Sequence, residues 1–132
     1  MQRGRFGRTE LHAACRQRDE VPTVKRLAGL FPEGLECKDD HGFTPLYHAS
    51  IFGHREIIEA LLERGADANA ADLGGLTALT VACEKGHAAS VDVLLRAGAD
   101  PTHRDSIGRT PRDWAQEKGH AEVLAVLDRL GA

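Results

Sequence analysis

Short apolar clusters recur along this chain, separated by polar segments that hold glycine, aspartate and asparagine. Ile57, Ile58, Leu61 and Leu62 form one cluster. Val91, Leu94 and Leu95 form the next, and Val123, Leu124 and Leu127 a third. Spacings of three and four place each set on one face of a helix. Each such helix is predicted to stop at a glycine, Gly65, Gly98 or Gly131. A shorter helix is predicted before each. It begins at Thr44, Thr77 or Thr110, whose hydroxyl can accept a backbone N–H at the helix start. Pro45 and Pro111 follow at the first helical position, where a missing N–H costs nothing. The short helix ends near Gly53, Gly86 or Gly119. Between the units, residues 66–76 and 99–109 read as extended polar loops, with a turn near Asp72-Leu73-Gly74-Gly75.

These features share one period. Thr44, Thr77 and Thr110 are 33 residues apart, as are Gly42, Gly75 and Gly108. The same step relates Gly53-His54, Gly86-His87 and Gly119-His120, and also Asp39, Asp72 and Asp105. An earlier copy is offset by 35 residues: Gly7-Arg8-Thr9-Glu10-Leu11-His12-Ala13-Ala14 matches Gly42 to Ala49. Its two extra residues are placed around Arg18–Pro22, between the helices, and in the stretch Gly29–Lys38. A unit of this length carrying T-P-L-H-x-A resembles the ankyrin repeat. Thr9 to Ala14 lacks only the proline of that motif, and Thr44-Pro45-Leu46-Tyr47-His48-Ala49 only the histidine. Thr77 to Ala82 is looser, and Thr110 to Ala115 the most divergent. The resemblance implies an all-α solenoid of stacked helix-turn-helix units joined by β-hairpin-like loops. Residues 1–132 are read as a single domain with repeats at about 5–38, 39–71, 72–104 and 105–132. One unit cannot bury its own apolar face, but stacked units share a continuous core in an elongated, curved array. Arg112 and Asp128 replace apolar residues of the inner repeats, so the last repeat is expected to cap the array.

Composition narrows the function classes. Apolar residues make up 42% and charged residues 28%, an ordinary globular balance. The net charge of -3 gives no reason to expect a nucleic-acid partner. Residues 1–30 nevertheless carry +4, leaving -7 on the remainder. Cys15, Cys37 and Cys83 are odd in number and form no CxxC pair, which suits a reducing, cytoplasmic or nuclear compartment. No apolar run approaches the ~18 residues of a membrane span. The basic start has no apolar segment after it, so no secretory leader is expected.

Catalytic and metal signatures are missing from the pattern. His54, His87 and His120 recur in register, so the repeat itself explains them. His12 takes the motif histidine position, where a hydrogen bond within the turn is expected. His41, His48 and His103 are scattered, and no pair has metal-ligand spacing. Cys15 and Cys83 align with Ser50 just after the motif alanine, where small buried side chains allow close packing. Cys37 has no neighbouring base. No nucleophile elbow or phosphate loop occurs. The expectation is a non-enzyme without cofactor or metal. Asn69, with Asp67 two residues and Leu61 eight residues before it, resembles the context of asparagines hydroxylated in ankyrin repeats.

The resemblance implies binding through a concave face of hairpin tips and inner helices. Carried over by position, that face includes Phe43, Ile51, Phe52, Leu73, Leu76, Glu84, Lys85, Ile107 and Arg109. In the first repeat it includes Arg5, Phe6, Arg8 and Arg16. Phe43, Ile51, Phe52, Leu73, Leu76 and Ile107 are expected to form an apolar patch flanked by arginines, as protein interfaces do. The reading is a module that binds a protein or peptide partner, not nucleic acid or membrane, as a monomer or weak homodimer. The alternative is a self-associating scaffold unit that buries the same patch in a homo-oligomer.

Overall fold

The structure, a computed structural model, describes Gly4 and residues 8–132. Arg5 and Phe6, expected on the binding face, lie outside the described residues. Eight α-helices follow one another among those described: α1 Glu10–Cys15, α2 Val21–Leu30, α3 Pro45–Ile51, α4 Arg55–Glu63, α5 Ala78–Lys85, α6 Ala88–Arg96, α7 Pro111–Lys118 and α8 Ala121–Arg129. They pair as α1 with α2, α3 with α4, α5 with α6 and α7 with α8. The first members pack on one another as an inner row, and the second members as an outer row. The all-helical solenoid expected from the sequence is the architecture found.

Each inner helix starts as the threonine pattern predicts. Thr9, Thr44, Thr77 and Thr110 accept the N–H of His12, Tyr47, Thr80 and Asp113 respectively. His12 and Asp113 return the bond to the threonine N–H and complete capping boxes. The two extra residues of the first unit are absorbed in short 3-10 turns, Arg18–Glu20 and Pro32–Glu36. The outer helices bury the stripes read from the sequence: Ile57, Ile58 and Leu61, then Val91 and Leu94, then Val123 and Leu127. These join inner-helix residues such as Leu11, Leu46 and Leu79 in one core running from α1 to α8. At the last pair, Arg112 reaches Asp128 at 2.9 Å and the Ala132 carbonyl at 2.6 Å. Two polar residues thus satisfy each other where the inner units place leucines.

The periodic histidines lock neighbouring units together. His54 Nε2 lies 3.2 Å from the Arg16 carbonyl, His87 Nε2 3.0 Å from that of Ile51, and His120 Nε2 2.8 Å from that of Glu84. Each ring donates to a carbonyl at the end of the preceding inner helix, where no intrahelical partner exists. The His87 and His120 rings lie against Gly53 and Gly86, the turn glycines of the preceding units. A Cβ on Gly86 would meet His120 Nδ1 at 2.7 Å, and Gly86 also has φ +79°. Gly86→Ala therefore combines left-handed strain with displacement of the His120 ring. It is expected to lower stability by about 2 kcal/mol, read as a shifted urea midpoint. A loss under about 0.5 kcal/mol would show that the ring moves freely.

Candidate functional site

The hairpins between units are built on the periodic aspartates. Asp39 N–H donates to the Phe43 carbonyl at 3.0 Å, Asp72 N–H to Leu76 at 2.9 Å, and Asp105 N–H to Arg109 at 3.0 Å. In each case the aspartate Oδ1 accepts two further backbone N–H groups, from the residues two and four positions on. These are His41 and Phe43, Gly74 and Leu76, then Ile107 and Arg109. The turn is closed before any side chain at its tip makes a contact, so the tip is free to present Leu73 or Ile107 outward.

The other carboxylate oxygen ties each hairpin to an inner helix. Asp39 Oδ2 accepts from His48 Nε2 at 2.8 Å, and Asp105 Oδ2 from Trp114 Nε1 at 2.8 Å. Both donors stand nine residues after their aspartate. Val81 fills that position in the third unit, and its side chain has no N–H to give; there Asp72 lies near Tyr47 of the preceding unit, and burial together with Asp72 raises the Tyr47 pKa. The aspartates stand out by their period, whereas His48 falls outside the histidine register. The available signal was the nine-residue step to an N–H-bearing ring in two of three units. His103, also outside the histidine register, donates from Nε2 to the Gly75 carbonyl at 2.7 Å and ties successive hairpins.

Around Asp39 this becomes a buried polar cluster. His48 and His12 are fully buried and meet edge to face, with ring centroids 5.3 Å apart. Arg16 Nη1 lies 3.2 Å from His48 Nδ1, so arginine donates to that nitrogen and the proton of the neutral ring sits on Nε2, facing Asp39. His12 Nδ1 accepts the Thr9 N–H at 3.0 Å, while Nε2 donates to the Phe43 carbonyl at 2.8 Å. Arg8 Nε stands 3.6 Å from Asp39 Oδ2. Burial pushes the His48 pKa down to about 4, with Asp39 opposing and His12 assisting the shift. Burial would raise the Asp39 pKa, but His48 and the two backbone N–H groups outweigh it and hold it below the usual value. Potential ligand atoms of His12, Asp39 and His48 lie within 4.8 Å of one another. Every one of those ring nitrogens is already committed to a hydrogen bond, so the grouping reads as a structural network.

The expected binding residues separate into two kinds. Leu73 is 82%, Ile107 66% and Phe52 40% exposed. Phe43, Ile51 and Leu76 are half-buried. The Phe43 ring stacks on Tyr47 at 4.3 Å and stands edge-on to His48 at 5.6 Å, filling the space between hairpin and helix. Phe52 carries the Arg16 guanidinium 4.9 Å from its ring centre and stacks on His54. Lys85 is exposed and Glu84 half-buried beside it. Arg109 lies over the Trp114 ring at 4.8 Å and pairs with Glu117. Leu30 and Phe31, at the end of α2, are further exposed apolar residues that the periodic reading did not single out.

The remaining candidates sit elsewhere. Asn69 bridges successive loops: its Oδ1 accepts the Asp100 N–H at 2.7 Å and its Nδ2 donates to the Gly98 carbonyl at 3.1 Å. Cys15 and Cys83 are buried, and burial raises both thiols, Cys83 up to about 12. Ser50, in the aligned position, donates to the Leu46 carbonyl at 2.8 Å. A shallow cleft of about 740 Å³ opens away from the predicted face, between the α1–α2 connection and the start of α4. Arg18, Asp19, Lys25 and Arg55 line it with mixed charge, and no buried polar group converges on it. No helix among the described residues is long and apolar enough to cross a membrane.

Comparison with known proteins agrees with this geometry. A family model described as ankyrin repeats (3 copies) matches residues 1–72, and another, ankyrin repeats (many copies), matches residues 61–115. The chain is similar to the ADP-ribosylation factor GTPase-activating protein AGD2 of Arabidopsis thaliana, 37% identical over 67 residues, 51% of this chain and 8% of that protein. It is 38% identical over 68 residues to the transient receptor potential cation channel subfamily A member 1 of Drosophila melanogaster, covering 48% of this chain and 6% of the channel. It is 32% identical over 54 residues to ankyrin repeat domain-containing protein 49 of Homo sapiens, covering 41% of this chain and 23% of that protein. The chain thus spans less than a quarter of the length of each of these relatives.

Proposed function

The chain belongs to the ankyrin-repeat family, and from that membership we propose that it is a recognition module binding a protein or peptide across its inner helices and hairpin tips. Ankyrin repeats are generally protein–protein interaction modules and generally non-enzymatic. The observation that carries the reading here is the exposure of Phe52, Leu73 and Ile107 along that face. Large apolar side chains left in water on rigid elements are the usual anchors of an interface. Each stands on a support already complete without it. Leu73 and Ile107 ride on hairpins closed by Asp72 and Asp105, and Phe52 caps the end of α3. No catalytic step is assigned, because His12, Asp39 and His48 are hydrogen-bonded within the fold and do not converge on a cavity.

The test uses Phe52→Asp with Leu73→Asp. Phe43 is left intact, since its ring packs against Tyr47 and His48. The double variant is expected to keep its circular dichroism spectrum and to lose partner capture by about 30-fold or more, the scale of hot-spot residues. Equal capture by both proteins would remove this face from recognition. Light scattering reads the homo-oligomer: a dimer that the double variant dissolves would make a second copy the occupant.

A further inference from the structure

Arg16 closes α1 and projects toward the second unit. Its guanidinium is held by the His48 Nδ1 acceptor at 3.2 Å and by the face of Phe52 at 4.9 Å. Both neighbours are uncharged, and among the described residues no carboxylate lies within ion-pair distance of it. The carboxylate nearest in effect is Asp39, which is fully enclosed and whose oxygens are committed to two backbone N–H groups, His48 and Arg8. Burial, then the charge of Arg8, press the Arg16 pKa below its ordinary value, with Asp39 acting the other way. The guanidinium stays charged. It has five N–H donors in a planar fork, of which His48 accepts from one. The fork is pre-set by its aromatic and imidazole supports, so little side-chain freedom is lost when an anion docks.

From this arrangement we propose that the partner is an extended peptide carrying an aspartate or glutamate next to apolar side chains. The carboxylate seats on Arg16, and the apolar residues run over Phe52 toward Leu73 and Ile107. The proposal rests on the inner-helix and hairpin face being the binding surface. A carboxylate matches the planar fork through two parallel N–H···O bonds. The apolar anchors lie on one side of it, so the recognised segment is acidic at the end over the first unit and apolar along the row of hairpins. A single carboxylate fits better than a polyanion, because residues 31–132 carry a net -7 and repel an extended run of negative charge.

The experiment is a selection from displayed random peptides of about twelve residues, long enough when extended to cross four units. Enriched peptides are expected to place Asp or Glu beside Leu, Ile, Phe or Trp. Arg16→Gln should weaken their binding about tenfold, and Arg16→Lys less, because it keeps the charge and loses the fork. Glu→Gln or Asp→Asn in the peptide should cause the same loss on the unaltered protein, so the test survives if Arg16→Gln fails to fold. The wild-type affinity should fall with added salt, and that of Arg16→Gln should fall less. Enriched peptides without acidic residues that still need Phe52 and Leu73 overturn the acidic partner and leave the binding face standing. Peptides that bind the Phe52→Asp/Leu73→Asp variant unchanged overturn both readings, as does a selection that enriches nothing.

Discussion

Asp39→Ala is expected to destabilise the folded chain by about 3–5 kcal/mol, measured by urea unfolding at neutral pH. The carboxylate accepts the His41 and Phe43 N–H groups and His48 Nε2, and it stands at ion-pair distance, 3.6 Å, from Arg8 Nε. Removing it leaves the His48 N–H fully enclosed and without an acceptor, and opens the hairpin at 39–43. A buried donor left unmade costs about 1–3 kcal/mol, and here several lose their partner together. Such a loss is a large share of a domain's ~5–15 kcal/mol. The network also crosses between units, since His12 donates to the Phe43 carbonyl and Arg16 to His48. Hydrogen-exchange protection should therefore fall first around α1 and the hairpin at 39–43, because each repeat is stabilised by its neighbours. Asp40→Ala is the control: Asp40 is exposed, and a change within about 0.5 kcal/mol is expected. If Asp39→Ala costs no more than that control, the junction is not held by this carboxylate.

The same cluster makes stability fall on mild acidification. His48 is folded in with its pKa near 4, against an ordinary 6.5 when the chain unfolds. Above pH 6.5 both states hold the ring neutral, and the contribution is complete. Between pH 6.5 and 4 the unfolded state binds a proton that the folded state refuses, so stability drops as pH falls. Each pH unit of full imbalance is worth ~1.4 kcal/mol, giving a loss of about 3 kcal/mol across the window. Below it Asp39 continues the trend, because its folded pKa is held under its ordinary 3.8. The groups facing the ring are Asp39 and the cations Arg8 and Arg16, with His12 beside it. His48→Gln keeps an N–H toward Asp39 and has no proton to gain. Its urea midpoint should change much less between pH 6.5 and 4 than that of the parent. Parallel pH profiles for the two proteins would assign the acid sensitivity to other groups.

Much of this molecule is legible in one dimension because its physics is local and repeated. A threonine before a short helix, a glycine after it and an apolar stripe at helical spacing act within a few residues. The recurrence of that unit every 33 residues fixes the stacking, since no unit can bury its stripe alone. The periodic histidines could likewise be assigned to structure from register, although their partners, carbonyls of the preceding unit, are visible only in three dimensions.

The sequence by itself determined the helical pairs, their order and the face on which a partner is proposed to dock. The tertiary structure decided which residues of that face are exposed and what the scattered histidines do. Phe43, before Thr44, and Phe52, before Gly53, are both expected on the binding face, yet Phe43 packs on Tyr47 while Phe52 stays open under Arg16. His12, Asp39 and His48 span more than one unit and meet only when α3 stacks on α1. Local patterns persist because they depend on neighbours in the chain. Exposure and polar pairing depend on what the adjacent repeat leaves uncovered, and that is fixed only by packing.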